Sequence, residues 1–296
     1  MTRKCLILLN PISGTRSKIN LVPVIEETFR KHNLAFEITH TNREGDYAYL
    51  PEKIRQEQFT DLVLCGGDGT ISTVLAYLTN TSIPIGIIPM GSGNGLAMGA
   101  GLPMNTRAAI ERIVTGTATP TDGIRINDRF CCMLSGLGLD AQVAHDFAKE
   151  KKRGLLRYIK LTTRHFWKGR SYPMTITVNG ETIEADVLFV SIANSNQFGN
   201  RVTIAPQALL NDGKMDVVIV KKQMALIAAW QLLRQIVSGK VMPGNTSTNH
   251  TVYYFQTAHL EIHNPNNAPF HVDGEPLPTA KHFTVDIIPN AFKLIR

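Results

Sequence analysis

The chain is poor in several things that would each assign a class. Cysteine occurs only four times in 296 residues, at positions 5, 65, 131 and 132. None of these forms a C-x-x-C pair, and three sit inside apolar strand-like runs. They read as core thiols of a reducing compartment, which excludes a disulfide framework. No apolar run approaches the roughly 18 residues of a membrane span. Met1 to Asn10 holds only five apolar residues in a row, too few for a secretory h-region. The expectation is a soluble, cytoplasmic protein, in which the sequons at Asn80, Asn245 and Asn249 carry no meaning. The nine histidines show no H-E-x-x-H or other zinc spacing, so no transition metal is assigned. There is no G-x-x-x-x-G-K-[ST] sequence, and Gly91-Ser92-Gly93-Asn94-Gly95 is not the G-x-G-x-x-G dinucleotide fingerprint.

Acidic residues are also scarce in one place. Lys149 to Arg170 contains nine Lys or Arg and a single acid, Glu150, a local charge of +8 against +7 for the whole chain. The remainder is close to neutral, whereas a nucleic-acid binder would spread its charge more widely; no nucleic-acid partner is expected. The same segment carries Leu155, Leu156, Ile159, Leu161, Phe166 and Trp167. A basic helix with apolar and aromatic residues can lie on an anionic membrane. It can equally be a solvated helix packing its apolar side on the domain. The Met224 to Val237 stretch, apolar over Met224 to Trp230, reads as a core helix.

What is present is a hydrophobic content of 43%, enough for a packed core, and length for one large domain or two ordinary ones. Residues 1–122 alternate strand and helix: Lys4 to Leu9, Arg16 to Lys31, Ala35 to His40, Asp46 to Arg55 with Pro51 as a complication, Leu62 to Cys65, a helix to Leu78, Ile83 to Ile88, and a helix from Asn105 to Val114. This predicts a doubly wound parallel sheet. Ligands bind beyond the carboxyl ends of such strands, where the turns 10–14, 66–70 and 91–95 should share one edge. After Pro120 the pattern becomes antiparallel β: Gly123 to Asn127, Arg129 to Leu134, Met174 to Val178, Ile183 to Ala193, Val217 to Val220, Val252 to Phe255, Leu260 to His263 and Phe283 to Ile288, with helices over Ala141 to Trp167 and Met224 to Val237. The expected division is 1–122 as a nucleotide-binding domain, completed by 289–296, and 123–288 as a β-sandwich-like domain for the substrate.

The most informative stretch is Gly66-Gly67-Asp68-Gly69-Thr70, set between an apolar strand and a helix whose face is Ile71, Val74, Leu75 and Leu78. Three glycines fold the backbone tightly and leave its amides open, and the helix N-terminus behind favours an anion. Phosphate is the simplest ligand; the bland alternative is an ordinary turn with Asp68 or Thr70 as helix cap. Asn10-Pro11-Ile12-Ser13-Gly14, taken alone, caps a helix more readily than it lines a nucleotide site. His271-Val272-Asp273-Gly274-Glu275-Pro276 reads first as a D-G hairpin turn, and secondly as a carboxylate pair able to take a proton from a hydroxyl. Asn211 to Asp216 is a turn whose carboxylates could hold Mg²⁺ with carbonyl help.

Taken in order, these motifs resemble the diacylglycerol kinase catalytic-domain family, which includes soluble bacterial lipid kinases, sphingosine kinases and ceramide kinases. The likeness runs through Asn10-Pro11-x-x-Gly14, Gly66 to Thr70, Gly91-Ser92-Gly93-Asn94, Gly136-Leu137-Gly138-Leu139-Asp140-Ala141, Asn194 with Gly199, Ala205-Pro206, Asp212-Gly213-x-x-Asp216 and Asp273-Gly274-Glu275. It implies an ATP site formed by Asn10, Pro11, Ile12, Ser13, Gly14, Thr41, Gly66, Gly67, Asp68, Gly69, Thr70, Ile71, Ser72, Thr73, Gly91, Ser92, Gly93 and Asn94, lying between the two domains. It implies Mg²⁺ at Asp216 with the carbonyls of Gly213 and Val218. It also implies that Asp273 or Glu275 accepts a proton and that Asp68 holds a catalytic Mg²⁺ or orients its loop. Gly95 stands where diacylglycerol kinases usually carry an acid, which makes the third glycine motif closer to the sphingosine kinase version. The expected reaction is transfer of the ATP γ-phosphate to a lipid hydroxyl, on diacylglycerol, a sphingoid base or a related lipid, with peripheral contact at the inner face of the membrane through 149–170. The alternatives are an NAD kinase-like phosphotransferase and a catalytically inactive lipid-binding protein of the membrane surface. The oligomeric state, homodimer included, is left open.

Overall fold

The computed structural model describes residues 3–13, 21–79, 81–149, 161, 164–165, 170–197, 205–222 and 252–296. The chain divides into two compact units, Met1–Asp122 with Pro289–Arg296, and Gly123–Ile288.

The first unit is a strand–helix alternation: β1 (Lys4–Leu9), α1 (Leu21–Lys31), β2 (Ala35–His40), α2 (Leu50–Gln56), β3 (Asp61–Gly66), α3 (Asp68–Ala76), β4 (Pro84–Pro89), α4 (Gly95–Gly99) and α5 (Thr106–Thr115). Pro51 sits in the first turn of α2, where its missing N–H removes no helical bond. It therefore starts the helix instead of breaking it. Asn105 caps α5 by accepting from the amide of Ala108. The strands run parallel in the order β2-β1-β3-β4. All six residues of β3 are buried, the mark of a parallel strand covered on both faces. One core gathers Cys5, Ile7 and Leu9 of β1 with Ile25 and Phe29 of α1 and Ile110 and Ile113 of α5. Arg3 braces one end: its guanidinium holds Asp61 at 3.0 and 3.2 Å and donates to the carbonyls of Ile113 and Val114.

The second unit is antiparallel. Its elements are the later part of β5 (Ala118–Ile126), β6 (Arg129–Cys131), β7 (Leu134–Gly138), α6 (Leu139–Lys149), β8 (Tyr172–Val178), β9 (Glu181–Ala193), β10 (Met215–Lys221), β11 (Val252–Thr257), β12 (His259–His263), β13 (Phe270–Val272), β14 (Glu275–Leu277) and the earlier part of β15 (His282–Ile295). The last residues of β15 belong to the first unit, where Lys293 and Leu294 pair in parallel with β4. The long strand β9 is flanked by β8, β7 and β10. Its inner face, with Val187, Val190 and Ile192, meets Ile176, Val217, Ile219 and Leu260 in the main core.

One expectation is corrected. The run Arg129 to Leu134, read as one strand, breaks after Cys131, and the reason lies in the site below. The helix expected from Ala141 to Trp167 begins at Leu139 as α6 and is described as far as Lys149; residues 161 and 164–165 are also helical, while 150–160, 162–163 and 166–167, most of the basic segment, and the Met224 to Val237 helix lie outside the described residues. Among the described residues no helix is long and apolar enough to cross a membrane.

Candidate functional site

In the first unit the parallel register brings four turns to one edge. Leu9 pairs with His40 and with Cys65, and Gly66 pairs with Pro89. The residues that follow, Asn10, Thr41, Gly67 and Met90 with Gly91 behind it, therefore leave the sheet at one edge. Asn10 ties two turns together. Its amide donates to the hydroxyl of Thr70 at 2.7 Å and its Oδ1 accepts from the N–H of Ile12 at 3.0 Å. Ser13 donates back to the Asn10 carbonyl. Ile12 is 80% exposed, an apolar side chain of this size held out at a polar edge. Pro11 is exposed beside it, and Gly14 lies outside the described residues. The Thr41 N–H continues the ladder to the Leu9 carbonyl, and buried Tyr47 shares a hydrogen bond with the Thr41 side chain.

The glycines at 67 and 91 are required by approach, not by turn type. A Cβ on Gly91 would lie 2.6 Å from the Cα of Gly67 and 2.9 Å from Oδ1 of Asn94, so the two loops touch backbone to backbone. Asn94, in the left-handed region at φ 53°, closes the second loop on itself: its Oδ1 accepts from the Gly91 N–H at 2.8 Å and its amide donates to the Gly91 carbonyl at 3.0 Å. Ser92 and Gly93 lie between. Gly67 is the N-cap of α3, and Asp68 is its first residue, half-buried. The cap is therefore the Gly67 backbone and not the side chain of Asp68 or Thr70. Thr73 donates to the Gly69 carbonyl, Ile71 is buried in the core, and Ser72 is half-buried on the exposed side of the same helix. The edge thus carries loop amides, a helix N-terminus and neutral side chains: the donor set of an anion site.

The second unit places Asp273 and Glu275 differently from one another. Asp273 and Gly274 are the central residues of a two-residue turn, φ 50° and 81°, between Val272 and Glu275, which pair. The Asp273 carboxylate points inward. It accepts from the amides of Cys132, Met133 and Leu134 at 2.9 to 3.1 Å, and the thiols of Cys131 and Cys132 lie at 3.2 and 3.4 Å. Those amides curl around a carboxylate, so they cannot extend a ladder; this is why the strand ends at Cys131. Burial pushes the Cys131 thiol well above its ordinary value, and the Asp273 charge adds to that, so it is inert as a nucleophile. Glu275, by contrast, is exposed at the start of β14.

Two further carboxylates are buried here. Asp216 accepts the hydroxyl of Tyr254 and the amide of Gln256, the latter at 3.2 Å. Burial raises the Asp216 carboxyl above the usual aspartate range, against the two hydrogen bonds, and the same burial raises Tyr254. Gly213 sits in the preceding turn at φ 71°, and Val218 lies mid-strand, paired with Ser191 and Tyr254. Among the described residues no three His, Cys, Asp or Glu side chains converge. One buried carboxylate among neutral donors suits a hard cation that keeps several waters and takes backbone carbonyls, and does not suit a transition metal. Asp140, at the start of α6, meets His271; in sequence each stands within a motif, Asp140 in 136–141 and His271 at the head of 271–276, and neither carries a role of its own. Their signal was the pairing of Gly136 with Asp140 four residues on, whose meaning appears only once His271 is brought opposite.

A model of the diacylglycerol kinase catalytic domain matches residues 4–126, and a model of the YegS C-terminal NAD kinase beta sandwich-like domain matches residues 134–296. The chain belongs to the diacylglycerol kinase catalytic-domain family of lipid kinases. Among similar curated proteins, the "Probable lipid kinase YegS-like" of Serratia proteamaculans is 28% identical over 95% of this chain and 91% of its own length. The "Probable lipid kinase YegS" of Salmonella newport is 26% identical over 89% and 87%. A solved structure of a diacylglycerol kinase from Bacillus anthracis aligns over 99% of this chain and 96% of its own, with a TM-score of 0.76 at 18% identity. A second chain from that organism reaches 0.80 at 21%. At such identities these likenesses bear on the fold alone: an α/β first domain and a β-sandwich second domain.

Proposed function

We propose that this lipid kinase uses ATP and Mg²⁺ to phosphorylate a lipid hydroxyl, the first unit binding the nucleotide and the second the lipid. The observation that carries the reading is the backbone contact of Gly67 with Gly91, which leaves no room for a side chain where two amide-bearing loops meet at a helix N-terminus. Phosphoryl transfer asks the protein mainly to position its reactants and to stabilise charge. The turns at 10–14, 66–70 and 91–94 would hold the phosphates through N–H groups and the hydroxyls of Thr70 and Ser92. Asp68 repels phosphate by its charge, so its role is to hold a catalytic Mg²⁺ or to orient the loop. Mg²⁺, when bound, draws charge from the phosphoryl oxygens and stiffens its site. Asp216, with the carbonyls of Gly213 and Val218, would hold a second, structural ion.

Glu275 is the better proton acceptor. The oxygens of Asp273 are engaged by three amides, which fix the hairpin and leave little lone-pair capacity for a lipid hydroxyl. Glu275 is exposed and one residue from the tip of the turn. The basic segment 149–170 would bring the enzyme to an anionic membrane surface on its cytoplasmic side, where a hydrophobic acceptor resides.

The test is ADP release measured in a coupled assay with ATP and Mg²⁺. Mixed micelles containing dioleoylglycerol or sphingosine should raise turnover at least tenfold over empty micelles. Stimulation by NAD in place of both lipids would replace the reading with that of an NAD kinase-like enzyme, and vesicle binding without turnover would replace it with a lipid-binding protein. Asp68→Ala that folds normally and keeps full turnover would remove Asp68 from the assignment.

A further inference from the structure

The Asp273-Gly274 turn has two central N–H groups, and a two-residue hairpin leaves both outside the strand ladder. Each finds a partner within the protein. The Asp273 N–H donates to the Leu134 carbonyl at 2.8 Å. The Gly274 N–H donates to Nδ1 of His271 at 3.2 Å. That second bond determines the tautomer: if Nδ1 accepts, the ring proton of the neutral imidazole sits on Nε2. Nε2 lies 3.2 Å from Oδ2 of Asp140, which takes that proton as a hydrogen bond.

The surroundings are cut to fit this chain of bonds. His271 is fully buried and Asp140 is 5% exposed. His271 pairs in register with Gly136, and a Cβ on Gly136 would fall 2.4 Å from Oδ2 of Asp140 and 2.9 Å from Nε2 of His271. The glycine makes the hole in which the pair meets. Ser135 donates to the carbonyl of His271 at 2.6 Å, holding its backbone, while the amides of 132–134 hold Asp273. A hairpin needing only to turn would be served by the Asp-Gly conformation alone.

We infer that Asp140 and His271 are positioning residues: Asp140 fixes the imidazole, the imidazole fixes the Gly274 amide, and the turn so fixed aims the Glu275 carboxylate at the acceptor hydroxyl. The inference rests on the reading of Glu275 as the proton acceptor. Neither residue touches substrate; both act through the backbone of the turn.

The full-length protein tests it in three readouts. Long-range ¹H–¹⁵N NMR should show His271 protonated at Nε2 and bare at Nδ1; the opposite tautomer overturns the relay outright. Amide exchange at Gly274 should quicken at least tenfold in His271→Ala, and protection should return in His271→Asn, whose side-chain oxygen lies near the place of Nδ1. Unchanged exchange in His271→Ala overturns the proposal. In the ADP assay with dioleoylglycerol or sphingosine micelles, whichever is the better acceptor, His271→Ala and Asp140→Asn should lower kcat by 10- to 100-fold with KM for ATP within twofold. His271→Asn should recover most of that kcat. Equal loss in kcat and in ATP affinity, or a fall in melting temperature with kcat intact, marks a merely structural pair and overturns it. Glu275→Gln runs alongside: full activity in that variant removes the proton-acceptor reading and the catalytic half of the inference, while tautomer and exchange still decide the relay itself. Should His271→Ala fail to fold, the wild-type tautomer and the Asp140→Asn kinetics still decide.

Discussion

In the first unit the candidate site is built almost wholly from neutral groups: loop amides, the Asn10–Thr70 bond, the Asn94 clamp and two glycines in backbone contact, with Asp68 the one charge among the described residues of these turns. In the second, the side chains that matter are ionisable, and all but Glu275 are buried: Asp273 among amides, Asp140 against His271, Asp216 under Tyr254. On the function proposed above, the difference follows from two chemical tasks. A polyanion brings its own charge, so its cradle needs dipoles in fixed directions and close approach. A hydroxyl brings none, so its partner must supply a carboxylate whose direction is held by groups that do not themselves react. The first site should therefore fail by loss of shape, and the second by loss of charge or aim.

The sharpest break of that contrast is Glu275→Gln, which removes charge and keeps shape. Lipid phosphorylation should fall by about 10²- to 10⁴-fold in kcat, the usual range for losing a general base, with ATP affinity by calorimetry within twofold of wild type. A matching loss of ATP affinity would erase the distinction.

Gly91→Ala does the reverse. Its new Cβ meets the Gly67 backbone at 2.6 Å, which no rotamer change relieves. Overpacking of this kind costs about 1–3 kcal/mol, and ATP affinity should drop by about 10- to 100-fold on that scale. Calorimetric titration and urea unfolding check the two halves. Asn10→Ala, which deletes the bonds to Thr70 and Ile12, should weaken ATP binding by about tenfold, near the worth of one or two hydrogen bonds, without a change in the pH profile of kcat.

The parallel sheet, its order of elements and its shared edge of turns were legible because each rests on local signals: continuous apolar strands, helical spacing and glycine at the turns. Asp68 was misread as a cap in its bland reading because an N-terminal acid looks the same at the cap and one position inside; only the backbone of Gly67 separates them. The Cys131 break and the His271–Asp140 contact were not legible. Each depends on partners more than 130 residues apart, brought together by the antiparallel register of β7 with β13. Asp273 and Glu275 looked like equivalent carboxylates in sequence. The left-handed turn makes them different, sending one into a nest of amides and leaving the other in solvent.

The smallest expected effect concerns Asp216. Its folded carboxyl holds a proton to higher pH than in the unfolded chain. The folded state therefore binds more protons between the two values, and stability falls as pH rises through that window, from the ordinary aspartate value to the raised one. In chelator, the melting temperature of wild type should decline as pH rises above the ordinary aspartate value, and Asp216→Asn should remove that decline. Mg²⁺ should restore the wild type alone, by binding the folded form. An equal response of both proteins to Mg²⁺ would remove Asp216 as a ligand.

On the proposed function, phosphate passes from ATP to a lipid hydroxyl. The most direct measurement offers the wild-type protein γ-³²P-labelled ATP, Mg²⁺, dioleoylglycerol, sphingosine and NAD in one reaction and separates the products by chromatography. Label should appear in a phosphorylated lipid and none in a dinucleotide. Label in NADP, or label released only as inorganic phosphate with the lipids untouched, would contradict it.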